Sequence, residues 1–401
     1  MIETAKAEID RRMRQRLREE ATRLPAGFLA AGQYLDLPTY EQRGLYGTAA
    51  AILVLAEGGT SDAGTADLLT GLASYVINRS QAERQAVSAT VYRDYVARRL
   101  RLQRDDTFRL ADLAFSLASV SPSVPTRNRA LESVMTALRA SRAENVGYAI
   151  GAESTEPNPL ATAHVLRALV VNNMPIEHED WRYLREYLDD GDDIYIKCFV
   201  IYVLSRYHRS VPHQHLRRQW KALFRALEGE FRGNSEANFE YTRLGQQDYV
   251  RIPWQLYLIQ ACSRIMPLAR FNLPIIQHKI GEIARAVTSP TGFRYEASGP
   301  NLSTRTYACV YQMLCDIEEF NLTQPIPRAV IVALGTVSRV ISSRVLLVGV
   351  VLAMCGVASW SVADWARTPD SDLAELAPNL LTELFLATLV WAGIRLRNSG
   401  R

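Results

Sequence analysis

Two apolar runs near the C-terminus constrain this chain more than any other feature. Residues 345–363 (VLLVGVVLAMCGVASWSVA) and 376–394 (LAPNLLTELFLATLVWAGI) are each 19 residues long, and Glu383 is the one ionisable residue in the pair. At about 1.5 Å per helical residue, each run reaches across a hydrocarbon layer roughly 30 Å thick. The segment between them is acidic, with Asp364, Asp370, Asp372 and Glu375 against Arg367. Their outer flanks are basic: Arg339 and Arg344 precede the first run, and Arg395, Arg397 and Arg401 follow the second. Loops rich in Lys and Arg stay on the cytoplasmic side, so the pattern predicts a transmembrane hairpin with its acidic turn outside and both termini in the cytoplasm. Trp360 near the outer end and Trp391 near the inner end suit the interfacial belts. Glu383 lies well inside its run, where a carboxylate is expected to face a partner helix, a cavity or a pore, or else to be protonated or snorkel. The hairpin implies a lipid bilayer as partner, the inner membrane as location, and a route to homo-oligomers through helix packing.

Upstream, hydrophobic residues make up 48% of the 401-residue chain and charged residues 22%, enough to fill a core and too apolar for disorder. A net charge of +4, with no Lys/Arg-rich face interleaved with aromatics, argues against a nucleic-acid partner. The five cysteines form no CxxC pair and read as packed thiols, so neither a disulfide framework nor a zinc site is expected. No P-loop, GxSxG or HExxH motif is present, and no cofactor is implied. Residues 1–24 lack a signal-peptide apolar region; Ile2, Ala5, Ile9, Met13 and Leu17 recur every three or four positions and predict an amphipathic helix.

The intervening chain alternates two kinds of helical segment. Runs rich in small and apolar residues fall at about 39–57, 107–119, 158–173, 192–207, 251–266 and 302–317. Charged amphipathic segments accompany them at about 62–78, 81–101, 127–141, 177–188, 214–229 and 272–288. Alternation of this kind predicts an all-α fold of helix pairs, small residues letting inner helices crowd together. Two units are alike in detail: Gly147 and Tyr148 precede Pro159, Leu160, Ala161 and Thr162, while Gly292 and Phe293 precede Pro300, Leu302, Ser303 and Thr304. Glycine permits a tight loop and proline fits the first helical turn.

The segments GYAIGAESTEPNPLATAHVLRAL and GFRYEASGPNLSTRTYACVYQML resemble the prenyltransferase and squalene-cyclase repeats of α/α-toroid proteins, over roughly residues 25–320. The resemblance implies about six helix hairpins around a central cavity, followed here by the two transmembrane helices. It implies no single activity, because the fold hosts cyclases, protein prenyltransferases and binding modules. The expected organisation is an amphipathic helix at 1–24, a toroid at 25–325, a linker or interfacial helix at 326–344, the hairpin at 345–394 and a basic tail at 395–401.

Within the toroid, Asp190, Gly191, Asp192 and Asp193 resemble the DxDD motif of class II terpene cyclases. That resemblance implies Asp192 as the acid, with Asp190 and Asp193 shaping its proton, although Ile194 and Tyr195 stand where the family has Thr-Ala. The same aspartates suit a helix N-terminus, where anions favour the dipole. Expected cavity residues are Tyr148, Glu153, His164, Tyr249, Arg251, Trp254, Arg294 and Arg305; aromatics interleaved with arginine favour a polar, planar or anionic ligand. A histidine placed like His164 is more often a satisfied core histidine than a base. The leading expectation is a membrane sensor/effector, because a two-helix hairpin behind a cytoplasmic sensor resembles effectors of bacterial anti-phage systems. Its ligand would be a nucleotide, an isoprenoid or a partner protein of the same system. The alternative is a membrane-tethered terpene-cyclase-like enzyme.

Overall fold

A computed structural model of the chain describes residues 1–22, 29–32, 34–36, 46–58, 63–81, 107–124, 126–151, 154–208, 210–233, 237–243, 246–265, 274–294 and 302–323. The chain divides into two units, Met1–Pro325 and Ile326–Arg401. All described residues belong to the first. The apolar runs 345–363 and 376–394, with Trp360, Glu383 and Trp391, lie outside the described residues, as do most of 81–101. Among the described residues no helix is long and apolar enough to cross a membrane.

The first unit is built from helices: α1 (Ile2–Ala21), α2 (Tyr46–Glu57), α3 (Ala63–Gln81), α4 (Thr107–Ser119), α5 (Arg127–Arg139), α6 (Pro159–Val171), α7 (His178–Asp190), α8 (Ile194–Tyr207), α9 (His213–Phe231), α10 (Trp254–Ile265), α11 (Pro274–Thr288) and α12 (Thr304–Thr323). One antiparallel ribbon interrupts them, β1 (Ala237–Arg243) paired with β2 (Gln246–Ile252) in the register Glu240 to Tyr249. No strand was expected there, the segment falling between the helical runs expected at 214–229 and 251–266. The segment carries Phe239, Tyr241, Tyr249, Val250 and Ile252, aromatic and β-branched types that favour a strand.

The two kinds of segment occupy two kinds of place. Helices α2, α4, α6, α8, α10 and α12 pack in a chain of neighbours, α2 on α4, α4 on α6, α6 on α8, α8 on α10 and α10 on α12. Helix α12 then packs on α2, so the neighbour relation closes. These helices are buried around most of their circumference, as Leu160 through Leu169 of α6 show, and they have no polar face to present to water. The others are amphipathic. In α7 the buried residues Trp181, Leu184 and Leu188, and in α9 Leu216, Trp220, Leu223, Leu227 and Phe231, fall at helical spacing on one side.

Helix α1 belongs with the amphipathic set. Ala5, Ile9, Met13 and Leu17 are fully buried, against α2, α11 and α12. Lys6 pairs with Glu318 at 2.5 Å, and Arg12 donates to the Ser289 carbonyl at 2.8 Å. Residues just after it complete the join: Leu35 N–H donates to Leu302 O at 2.8 Å, and Thr304 Oγ1 to Gly32 O at 2.8 Å. The start of the chain is thus fastened to the last described helices.

The two look-alike loops share one construction. Gly147 and Gly292 have φ of +73° and +71°, a region where a side chain is strained. In each, the N–H of the aromatic that follows is received by a hydroxyl fifteen residues beyond the glycine. Tyr148 N donates to Thr162 Oγ1 at 2.9 Å, and Phe293 N to the Tyr307 hydroxyl at 2.6 Å. A Cβ on either glycine would meet that same hydroxyl, at 2.7 Å and 2.5 Å.

Candidate functional site

The sixth residues of α4, α6, α8 and α12 are Asp112, His164, Phe199 and Cys309. Asp112 and Cys309 line a cavity, and His164 joins it through its hydrogen bond to Asp112. Its lining comes from α2 (Ala49, Ala50, Leu53), α4 (Asp112, Phe115, Ser116), α6 (Arg167), α10 (Tyr257) and α12 (Arg305, Ala308, Cys309, Gln312). About 30 Å³ is free inside it, room for roughly two waters or one small ion.

Asp112 is the hub. Its Oδ1 accepts from His164 Nδ1 at 2.8 Å and from Arg167 Nη2 at 2.6 Å, and its Oδ2 from Arg305 Nε at 3.3 Å. Arg305 also donates through Nη1 to the Arg251 carbonyl at 2.6 Å, which ties the end of the β-ribbon to the cavity. Arg167 lies over the rings of Phe115, at 4.1 Å, and Phe199, at 5.4 Å. Cation–π contact and ring packing fix the plane of its guanidinium. His164 packs on Phe199 at 4.3 Å, and Phe199 on Tyr257 at 4.6 Å.

Burial alone would raise the Asp112 pKa, but His164, Arg305 and Arg167 outweigh it and hold the carboxyl well below its usual range. Burial lowers His164 to about 4; Asp112 pulls the other way, and the two guanidiniums add to the lowering. At neutral pH the imidazole is therefore uncharged. Since ionised Asp112 only accepts, Nδ1 must carry the proton. Burial also pushes up the Cys309 thiol, and drives the Tyr257 phenol well above its ordinary value. A general acid or base works best with a pKa near the operating pH, and a reactive cysteine needs its thiolate. None of these groups meets that condition. The cluster is set to hold charge in place.

No protein-family model matches the chain, and no curated protein shows significant similarity to it. The cavity must therefore be interpreted from its own residues.

Of the residues expected at a cavity, the structure brings together His164, Arg305 and the backbone of Arg251. Trp254 is buried elsewhere, packed on Phe231 and Tyr195. Tyr148 belongs to the loop before α6, beneath Arg142, which also pairs with Asp180 and Glu177. Arg294 is exposed. Tyr249 has a described backbone, paired with Glu240, while its side chain and Glu153 lie outside the described residues.

The Asp190–Asp193 cluster sits at the α7–α8 junction and contributes nothing to the cavity lining. Asp193 is the N-cap of α8, its carboxylate accepting from Tyr195 N at 2.8 Å and Ile196 N at 2.9 Å. Asp190 ends α7, and both it and Asp192 are exposed. An acid strong enough to protonate an alkene needs dry surroundings, which an exposed side chain lacks. Of the two readings of the motif, the helix cap is the one that Asp193 fills in this geometry.

Asp112, Arg167, Ser116 and Tyr257 were not anticipated as site residues. One signal was present for two of them: Asp112 in TFRLADLAFSLAS and Arg167 in PLATAHVLRALVV are charges inside predominantly apolar helices, where an unpaired charge is costly. Among the described residues no group of three or more His, Cys, Asp and Glu side chains comes together as a metal site would require.

Proposed function

We propose that this chain is a membrane-anchored sensor and effector. Its helical unit is an α/α-toroid that binds a small ligand in the central cavity, and the hairpin at 345–394 acts on the inner membrane, as in an anti-phage defence. The closed succession of six packed helices, the amphipathic helices that accompany them and the repeated glycine–aromatic loops support the toroid. One observation carries the binding reading: the cavity holds a rigid Arg167–Asp112–Arg305 cluster whose neighbours are tuned away from proton transfer. Cyclase chemistry would need an apolar cavity with an acid in it, whereas this one has three charged side chains and Asp192 lies elsewhere.

The test is membrane potential in a bacterial host expressing either the full chain or a version ending at Arg339. Depolarisation on induction or on phage infection is expected from the full chain alone. Glu383→Ala in the full chain should remove the leakage without lowering expression if that carboxylate lines the conducting path. A cell that stays polarised in both conditions, or equal depolarisation by the shortened version, would overturn the effector reading.

A further inference from the structure

The donors of the cavity exceed what its one described carboxylate takes up. Arg167 is 5% exposed and makes its single described hydrogen bond through Nη2; its Nε is buried with no partner. Phe115 and Phe199 hold the guanidinium plane, so it cannot swing away to find water. Around the same free space stand the Arg305 guanidinium and the Gln312 amide, while the Ser116 hydroxyl beside them already donates to the Asp112 carbonyl at 2.8 Å. Asp112 receives three charged or polar donors already. Leaving a buried guanidinium donor unmatched is unfavourable, and an oxyanion that offers two oxygens, a carboxylate or a phosphoryl group, is what such a fork fits.

We infer that the cavity is an anion site in which Arg167, backed by Arg305, receives a small oxyanion, either a free ion or the carboxylate or phosphoryl end of a larger molecule. Asp112 acts there as a positioning residue. It holds both guanidiniums in place and takes one N–H of Arg167, which leaves the rest of that fork for the ligand. This inference rests on the reading of the cavity as a ligand site and names the chemistry of what enters it.

The experiment is thermal unfolding of the full chain in detergent, titrated with sodium acetate or with inorganic phosphate, against sodium chloride at matched ionic strength. A saturable rise in the midpoint with one of the oxyanions is expected, and acetate against phosphate separates a carboxylate from a phosphoryl group. Arg167→Lys keeps the charge but not the fork, and should weaken the response about tenfold or more. Ala308→Leu leaves every ion pair in place and fills the free space; a folded Ala308→Leu protein should show no saturable response. No saturable rise over chloride with either anion would overturn the inference. So would a response that survives Ala308→Leu, which would put the anion elsewhere. Depolarisation by the induced full chain would stand in either case, so the two readings fail separately.

Discussion

His164 shows how a single buried side chain sets the conditions under which this unit is stable. Folding moves its pKa from an ordinary 6.5 to about 4, chiefly by burial. Between those values the unfolded chain binds a proton that the folded chain refuses, so stability is lost as pH falls through that window and levels off below about 4. A shift of this size is worth about 3 kcal/mol. Asp112, held below its usual range, adds a further loss at still lower pH. His164→Gln retains an N–H donor for Asp112 and does not titrate. Urea midpoints measured from pH 7 to pH 4 should therefore fall more gently in His164→Gln than in the native chain. Parallel curves would mean that His164 takes up its proton in the folded state as readily as in the unfolded chain, Asp112 offsetting burial.

At the scale of elements, the α7–α8 junction separates two meanings of one motif. Asp193 receives two backbone N–H groups at the start of α8, whereas Asp192 is exposed. Removing an N-cap costs about 1 kcal/mol, and an exposed carboxylate contributes little. Asp193→Ala should lower the unfolding midpoint while Asp192→Asn leaves it within error, with no change in extracted lipids for either. An isoprenoid product that disappears with Asp192→Asn would restore the catalytic role. The helices themselves were legible, since inner and outer positions demand different compositions: α4 was anticipated at its observed bounds and α6, α8 and α10 within a few residues. The ribbon was not, because its alternation of Phe239, Tyr241 and Tyr249 is short and flanked by strong helical signals. The cavity was only partly legible. Asp112, His164, Arg167 and Arg305 come from three helices far apart in the chain, and no local pattern records that they share one carboxylate.

For the whole unit, the decisive question is what makes a succession of helix pairs close. Helix α1 packs on α11 and α12 at one end of the first unit and on α2 at the other, and Arg14 reaches Thr65 of α3 at 2.6 Å. It therefore bridges the two ends. Burial of Ile9, Met13 and Leu17 contributes about 1.5–3 kcal/mol each. Their sum rivals the 5–15 kcal/mol by which whole domains are stable. A chain beginning at residue 23 should lose cooperative melting and near-ultraviolet dichroism while retaining much of its helical far-ultraviolet signal, because the individual helix pairs survive but the join between first and last does not. If α1 were an appended helix, as its place ahead of the repeats first suggests, the shortened chain would melt as sharply as the full one, within a few degrees. The saturable response to acetate or phosphate should vanish with the join as well. The cavity is lined by α2 and α12 as much as by α4 and α6, and α1 packs on both α2 and α12 and so reinforces their direct contact.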